Sequence, residues 1–545
     1  MRISFIFVSI ALVLSGTGVA GQHERKSNID DARMTFTIAP LFPERERNDL
    51  ITLQFMADGS EKSLSVDEIE IRFSRKSVLA VFSSVYVFAC GSEAGDSNCD
   101  SFAVTHTVSK KTRLKGNALV GSGVNRYVIG FTAFPDADIS QSAGIRSVAL
   151  SFSDGSRIKL RRSESDPEVR LGRVLRAAGQ DGSDTYRIPG IVTTREGTLI
   201  AVYDVRHNNS KDLQEDIDIG MSRSTDGGQN WEPMKVIMDM GNYGGLPEQL
   251  NGIGDPSILY DHITNTVWVA AMWMSGSSTD KMLWWASQPG TTPQETGQFI
   301  LVNSSDDGIT WSQPVNITDQ IKDPGWQLLL QGPGRGITLS DGTLVFPAQF
   351  KADIGVKALD GGQYTCHSTI VFSKDGGNTW HIGTGAKSNT TEAQVVQLKD
   401  GSLMLNMRDD RNRTDKGPTN GRAVAVTTDL GRSWTVHPSS NSALPEPNCM
   451  ASLIAAEMNV NGVMKKVLLF SNPDDKHSRT HITVKASFDE GLTWPLDKQL
   501  EIYSPECFGY SCMTMIDQNT LGILYEGNKE IFFQRITLNS LFENK

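Results

Sequence analysis

The sequence predicts an all-β protein, a six-bladed β-propeller preceded by a β-sandwich. Three observations carry this. Short alternating or continuous runs of β-forming residues recur along the chain, and helical periodicity is weak. Glycine is 50 of 545 residues, about 9% against a usual ~7%, which suits many tight turns. A turn motif ending in Trp repeats five times in the second part of the chain.

The chain opens with Arg2, an apolar run from Ile3 to Leu14, and the small-residue stretch Ser15-Gly16-Thr17-Gly18-Val19-Ala20. A basic start, an apolar core and a small-residue exit describe a secretory signal peptide over residues 1–20. No cysteine lies beside the exit, which argues against a bacterial lipoprotein. No later segment reaches 18 apolar residues, so the expectation is an exported protein, periplasmic or secreted, with no membrane span in its mature form. A monomer is expected. The net charge of −11 argues against a general nucleic-acid binder and leaves room for a local basic pocket.

Six cysteines are too few for a disulfide scaffold. Cys90 and Cys99 flank a Gly/Ser/Asp-rich turn; they either close that loop in an oxidising compartment or stay as buried thiols. The cysteines and the nine histidines form no metal-ligand spacing, so neither a metal nor a cofactor is expected.

Residues 30–165 read as the sandwich. Ile69 to Phe73 alternates apolar and charged residues, and Val148 to Phe152 alternates large and small ones. Val85 to Phe88 and Tyr127 to Phe131 are continuous β-forming runs that suit fuller burial. The charged stretch Arg161 to Arg170 reads as a linker.

Residues 172–541 hold the repeat, S/T-x-D-x-G-x-x-W, known as an Asp-box. Its copies run Ser224–Trp231, Ser304–Trp311, Ser373–Trp380, Thr427–Trp434 and Ser487–Trp494. The Asp and Ser/Thr side chains can bond nearby backbone N–H groups and so fix a turn. Gly supplies a conformation other residues resist, and the Trp is expected to bury beneath the hairpin. The box aspartates lie 54 to 80 residues apart, one four-stranded unit per interval. Over this region, six units of about 62 residues each make six blades, five with a visible box. These boxes read as scaffold.

With Tyr186-Arg187-Ile188-Pro189 upstream of five such boxes, the second region resembles the bacterial exo-α-sialidases (neuraminidases) of glycoside hydrolase family 33. The resemblance implies a six-bladed propeller with its site at the centre. It also implies sialylated glycans and glycoconjugates as substrates, at a sugar that bears a carboxylate on its anomeric carbon. Arg presents a planar, permanently charged fork that matches a carboxylate. By resemblance, Arg187, Arg408 in Leu405-Asn406-Met407-Arg408, and Arg479 before Thr480-His481-Ile482 form the carboxylate-binding triad. Tyr510, in Gly509-Tyr510-Ser511, matches the nucleophile. A neutral phenol avoids repulsion by the substrate carboxylate, but with an ordinary pKa near 10 it needs a base. Glu392 matches that base. Arg206 matches a further pocket arginine. Asp212, on a polar loop after the first hairpin, matches the acid/base, with Asp204, Asp216 and Asp218 as competitors.

Two more acids follow from the resemblance. Glu526 matches the residue that orients Arg187, and Asp255 one near the N-acyl and hydroxyl groups. Gly254 stands where the family often has an apolar residue. Trp273 reads as core or as part of the N-acyl pocket, and Cys449 as near the rim without assigned chemistry. The implied activity is retaining hydrolysis of terminal sialic acids through a tyrosyl-linked intermediate. The alternatives are a trans-sialidase, an intramolecular trans-sialidase and a non-catalytic sialic-acid-binding propeller. The sandwich either binds carbohydrate, as modules of many sialidases do, or packs against the propeller.

Overall fold

The computed structural model describes residues 22–23, 29–58, 64–91, 99–163, 167–460 and 463–542. The expected signal peptide lies outside these residues. Among the described residues no helix is long and apolar enough to cross a membrane.

The chain divides into two compact units. The first is built from two five-stranded sheets. One is ordered Gln22–His23, Arg157–Arg161, Ile145–Phe152, Ser65–Phe73, Lys111–Leu119, and the other Ile29–Phe36, Asp49–Ala57, Gly123–Ala133, Phe82–Cys90, Cys99–Thr105. Alternate residues of each sheet meet in an aromatic core. Phe55 meets Phe152 edge-on at 5.7 Å, and Phe73 lies 6.2 Å from Phe131. All four runs singled out in the sequence lie within these strands. Cys90 and Cys99 pair across adjacent strands as a disulfide. Within the stretch read as a linker, Arg161 ends one strand and Val169–Arg170 forms another. Residues 38–44 and 138–141 group with the second unit, which the continuous boundaries read from sequence did not foresee.

The second unit is a ring of six sheets, antiparallel but for the pairing of Gly334–Arg335 with Ile253–Asp261. Each blade runs outward strand by strand, as in Thr185–Thr193, Leu199–Arg206, Ile217–Ser224 and Lys235–Met238 of blade 1. The innermost strands of blades 2, 4, 5 and 6 are Ile253–Asp261, Thr390–Gln397, Ser452–Val460 and Ser511–Asp517. Blade 3 is built on Leu328–Gln331 and Leu344–Ala352. Blade 6 takes its outermost strand, Arg173–Arg176, from the start of the unit, so the two ends of the ring are hydrogen-bonded together. That closure leaves the ring without an open seam, the usual reason propellers tolerate many blades.

The five boxes share one geometry. In each, the first Ser or Thr hydroxyl donates to the Asp and accepts from the N–H of the recurring Gly, and the Asp accepts from the N–H four residues on. The Trp differs from expectation. Only Trp380 and Trp494 are buried, and the other three are half-buried. Trp231 of blade 1 stacks edge-on against Phe533 of blade 6, and Trp380 of blade 3 against Trp268 of blade 2. These boxes lean on the preceding blade as well as their own hairpin, which makes them glue between blades.

Candidate active site

Each inner strand starts at one face of the ring, and three of them are irregular there. Register shifts fall between Arg187 and Gly190, between Gly254 and Ser257, and between Thr390 and Ala393. A bulge re-aims the side chains beside it. Here the three bulges carry Arg187, Asp255 and Glu392. Ile188, Asp255 and Asn448 also hold left-handed backbone, with φ of 57°, 57° and 58°. For a β-branched residue such as Ile188 that conformation is costly, and it is held by Glu526, whose carboxylate accepts its N–H at 2.9 Å.

Glu526 organises one side of the site. Its second oxygen accepts the N–H of Tyr510 at 2.9 Å, and the carboxylate takes the Arg187 guanidinium at 3.1 and 3.4 Å. Arg408 donates to Glu392 at 2.7 Å and to the Tyr510 hydroxyl at 3.1 Å, while its other edge rests on Asn448. The Tyr510 hydroxyl donates to Glu392. Arg479 is fixed by the Phe508 carbonyl at 2.8 Å, with its guanidinium 5.7 Å from the Tyr510 ring. Arg187 lies 5.2 Å from the same ring. Burial and the Glu392 carboxylate push the phenol well above its usual pKa; Arg408 and Arg479 only partly offset them. At rest the hydroxyl is therefore protonated.

The opposite side is acidic. Arg206, fully buried, pairs with Asp204 at 2.8 Å and with Asp212 at 2.7 Å, and Asp212 also meets Arg187 at 3.3 Å. Loss of water contact would raise the Asp212 carboxyl, but Arg206 and Arg187 outweigh it and bring the group down to about 2. Asp255 goes the other way. Burial, then the charges of Asp204 and Asp212, lift it well above the carboxylate range. Its own N–H donates to Asp204 at 2.8 Å. Environment thus pushes two carboxyls of one cavity in opposite directions, a division typical of acid/base sites.

The cavity between these sides has a volume of about 300 Å³, the lower end of what small-molecule sites show, roughly 300–1,000 Å³. Asp212, Asp255, Glu392, Arg408 and Tyr510 line it. Asp204, Asp216 and Asp218 do not. Asp204 is locked on Arg206, and Asp218 on His207 at 2.9 Å. The imidazole of His207 and the carboxylates of Asp216 and Asp218 lie within 4.8 Å of one another, the one such group among the described residues. Trp273 is a core residue, packed edge-on against Tyr243. Cys449 is buried with Ile188, Met450 and Tyr510, in the floor of the site rather than at its rim. The structure brings Arg187, Arg206, Asp212, Asp255, Glu392, Arg408, Arg479, Tyr510 and Glu526 together around this cavity, and leaves Asp216, Asp218 and Trp273 outside it. It adds Asn448, which seats Arg408, and the turn around Trp284 and Trp285, which lines the cavity. The Trp-Trp pair in an otherwise polar stretch was the available signal for the latter.

A central cavity in a six-bladed ring, with clustered arginines and a phenol bonded to a carboxylate, has the parts of a propeller glycosidase site for an anionic sugar. Comparison with known proteins makes this specific. Residues 188–492 match the BNR repeat-like domain. The chain is 42% identical over 537 residues to a sialidase of Bacteroides fragilis (strain YCH46), covering 93% of this chain and 94% of that one. It is 32% identical over 371 residues to a sialidase of Micromonospora viridifaciens, covering 67% and 53%. Among solved structures, a Hadza microbial sialidase superposes with a TM-score of 0.83 at 40% identity, covering 93% of this chain and 99% of that one. An intramolecular trans-sialidase from Ruminococcus gnavus shares the fold, at 18% identity and a TM-score of 0.52. The chain belongs to the sialidase family and is a glycoside hydrolase.

Proposed function

We propose that the protein is an exported, retaining exo-α-sialidase. It removes terminal sialic acids from glycoproteins, glycolipids and oligosaccharides through a covalent sialyl-Tyr510 intermediate. The observation that carries this reading is the Tyr510 hydroxyl bonded to Glu392 among three arginines. Arg187, Arg408 and Arg479 receive the substrate carboxylate. The phenol, held neutral by its surroundings, passes its proton to Glu392 as its oxygen bonds to the anomeric carbon. Asp212 donates a proton to the departing oxygen and then takes one from the water that displaces Tyr510 from the anomeric carbon, while Glu392 returns its proton to the phenol oxygen. Two inversions give overall retention.

In the free site the low pKa of Asp212 leaves it ionised, so it takes up its proton as substrate binds. An ionised Asp212 cannot act as an acid. A substrate carboxylate beside Arg187 adds a negative charge, weakens that arginine's hold on Asp212 and raises its pKa. Asp255, protonated, is placed to donate a hydrogen bond to a substrate hydroxyl or acyl oxygen. Export is supported by the residues 1–20 pattern and by the Cys90–Cys99 disulfide, which belongs to an oxidising compartment.

Proton NMR of the purified protein with sialyllactose, read at early times, tests the reading. The α anomer of free sialic acid should appear before the β anomer. First release of the β anomer would overturn retention. An anhydro sugar would replace hydrolysis with intramolecular transfer, and a sialylated acceptor would replace it with trans-sialylation.

A further inference from the structure

We propose that Lys351, Asp360 and the indoles of Trp284 and Trp285 form a clamp that positions Asp212 for proton transfer. The inference rests on reading Asp212 as the acid/base. Asp212 lies between the strands Leu199–Arg206 and Ile217–Ser224 on a segment without regular structure, and 54% of its side chain is exposed. Its neighbours supply the tethers. Gln214 Nε2 donates to the Met274 carbonyl at 2.8 Å, and the Leu213 carbonyl accepts the N–H of Leu283 at 2.5 Å.

Leu283 begins a single helical turn, Leu283–Ala286, which lines the same cavity as Asp212. One turn has no stability of its own, because nucleation fixes several residues for few hydrogen bonds. It is held from behind. Lys351, on the blade 3 strand Leu344–Ala352, has a side chain 1% exposed. Its ammonium donates to the Trp284 carbonyl at 3.2 Å and to Asp360 Oδ2 at 3.3 Å. It sits 4.1 Å from the Trp284 ring centroid and 4.6 Å from that of Trp285. The same Asp360 oxygen accepts the Trp284 indole N–H at 2.8 Å.

A buried lysine is costly unless it is paired, and this one spends its pairing on two aromatic faces, a carbonyl and a carboxylate. Lys351 does not line the cavity and so acts through the turn. It fixes the Leu283 N–H, which fixes the Leu213 carbonyl one residue from Asp212. A misplacement of about 1 Å in a reacting group can cost roughly 10²-fold in rate.

Leaving-group chemistry tests the clamp. A sialoside of lactose needs protonation as it departs; an aryl sialoside with an acidic phenol leaves without it. Lys351→Met should lower kcat/KM for sialyllactose by about 10–100-fold, yet change it less than about 3-fold for the aryl sialoside. Asp212→Ala, measured alongside, should show the same selectivity with a larger loss. Equal losses on both substrates for Lys351→Met, or no loss beside a selective Asp212→Ala, would overturn the clamp and leave Asp212 in its role. Equal losses for Asp212→Ala would remove the acid/base reading and the clamp with it. Should Lys351→Met not fold, Asp360→Asn carries the same expectation.

Discussion

The Asp-box turns and the central site use the same chemistry at different range. In each, a carboxylate collects donors. Asp489 of the fifth box takes the hydroxyl of Ser487 and the N–H and hydroxyl of Thr493, all within a few residues. Glu526 takes Arg187 and the Ile188 N–H, more than 330 residues earlier in the chain. The box closes on itself: its Asp is satisfied locally and its remaining surface packs against a neighbouring blade. The site is assembled by ring closure, and its charged groups keep one side open to a cavity. Local closure yields scaffold; distant convergence yields a place for an outside ligand to complete the network.

That contrast predicts separable phenotypes. The largest effect belongs to the site. Tyr510→Phe should lower kcat by roughly 10³-fold or more while leaving the thermal midpoint within a few degrees, as read by steady-state kinetics and circular dichroism. An unchanged rate would sink the nucleophile assignment. Glu392→Gln should cost about 10²–10³-fold in kcat, because the phenol then loses its proton acceptor. Retention of full activity would mean that another group takes the proton.

Effects at the boxes are smaller and of another kind. Asp489→Ala should destabilise the fold by about 1–2 kcal/mol, the cost of stranding its donors at a half-exposed turn. Its kcat at 25 °C should stay at the wild-type value. A rate loss without a stability loss would break the division between scaffold and site.

Acid sharpens it further. Side-chain and backbone hydrogen bonds hold Asp306, Asp375 and Asp429 at about 2, below the usual ~3.9. A folded pKa below the unfolded one gives stability that is present above ~4 and is lost as pH falls towards about 2. Asp-to-Asn variants at these boxes should therefore melt lower than wild type at pH 6, with the gap closing between about pH 4 and 2. A gap that stays constant over that range would mean that the carboxylate charge is not what the turn uses.

Much of the architecture was readable because its determinants are short-range. Each box and the alternating strands of residues 30–165 announce themselves within windows of ten residues. The family pattern pointed to Arg187, Arg408, Arg479, Tyr510 and Glu392 for a related reason: each lies near one end of a strand, within a short motif. Other features had no such signature. Trp273 and Trp284 are both tryptophans beside apolar residues, but one ends a core strand and the other is turned into the cavity by Lys351 and Asp360. Cys449 lies in the site floor with Ile188, Met450 and Tyr510, next to Asn448 with its left-handed backbone.

The sequence by itself determined the strands, the turns, the number of blades and the family, since side-chain alternation and Asp-box hydrogen bonds act over a few residues. Tertiary structure alone decided which acid stays charged. Asp212, Asp216 and Asp218 are near neighbours in sequence, but only Asp212 reaches two arginines and the cavity. Asp255, far along the chain, is pushed to the protonated side by burial and by its fellow acids. A carboxyl's charge depends on desolvation and on Coulomb partners within a few ångströms, and only ring closure brings those partners within reach.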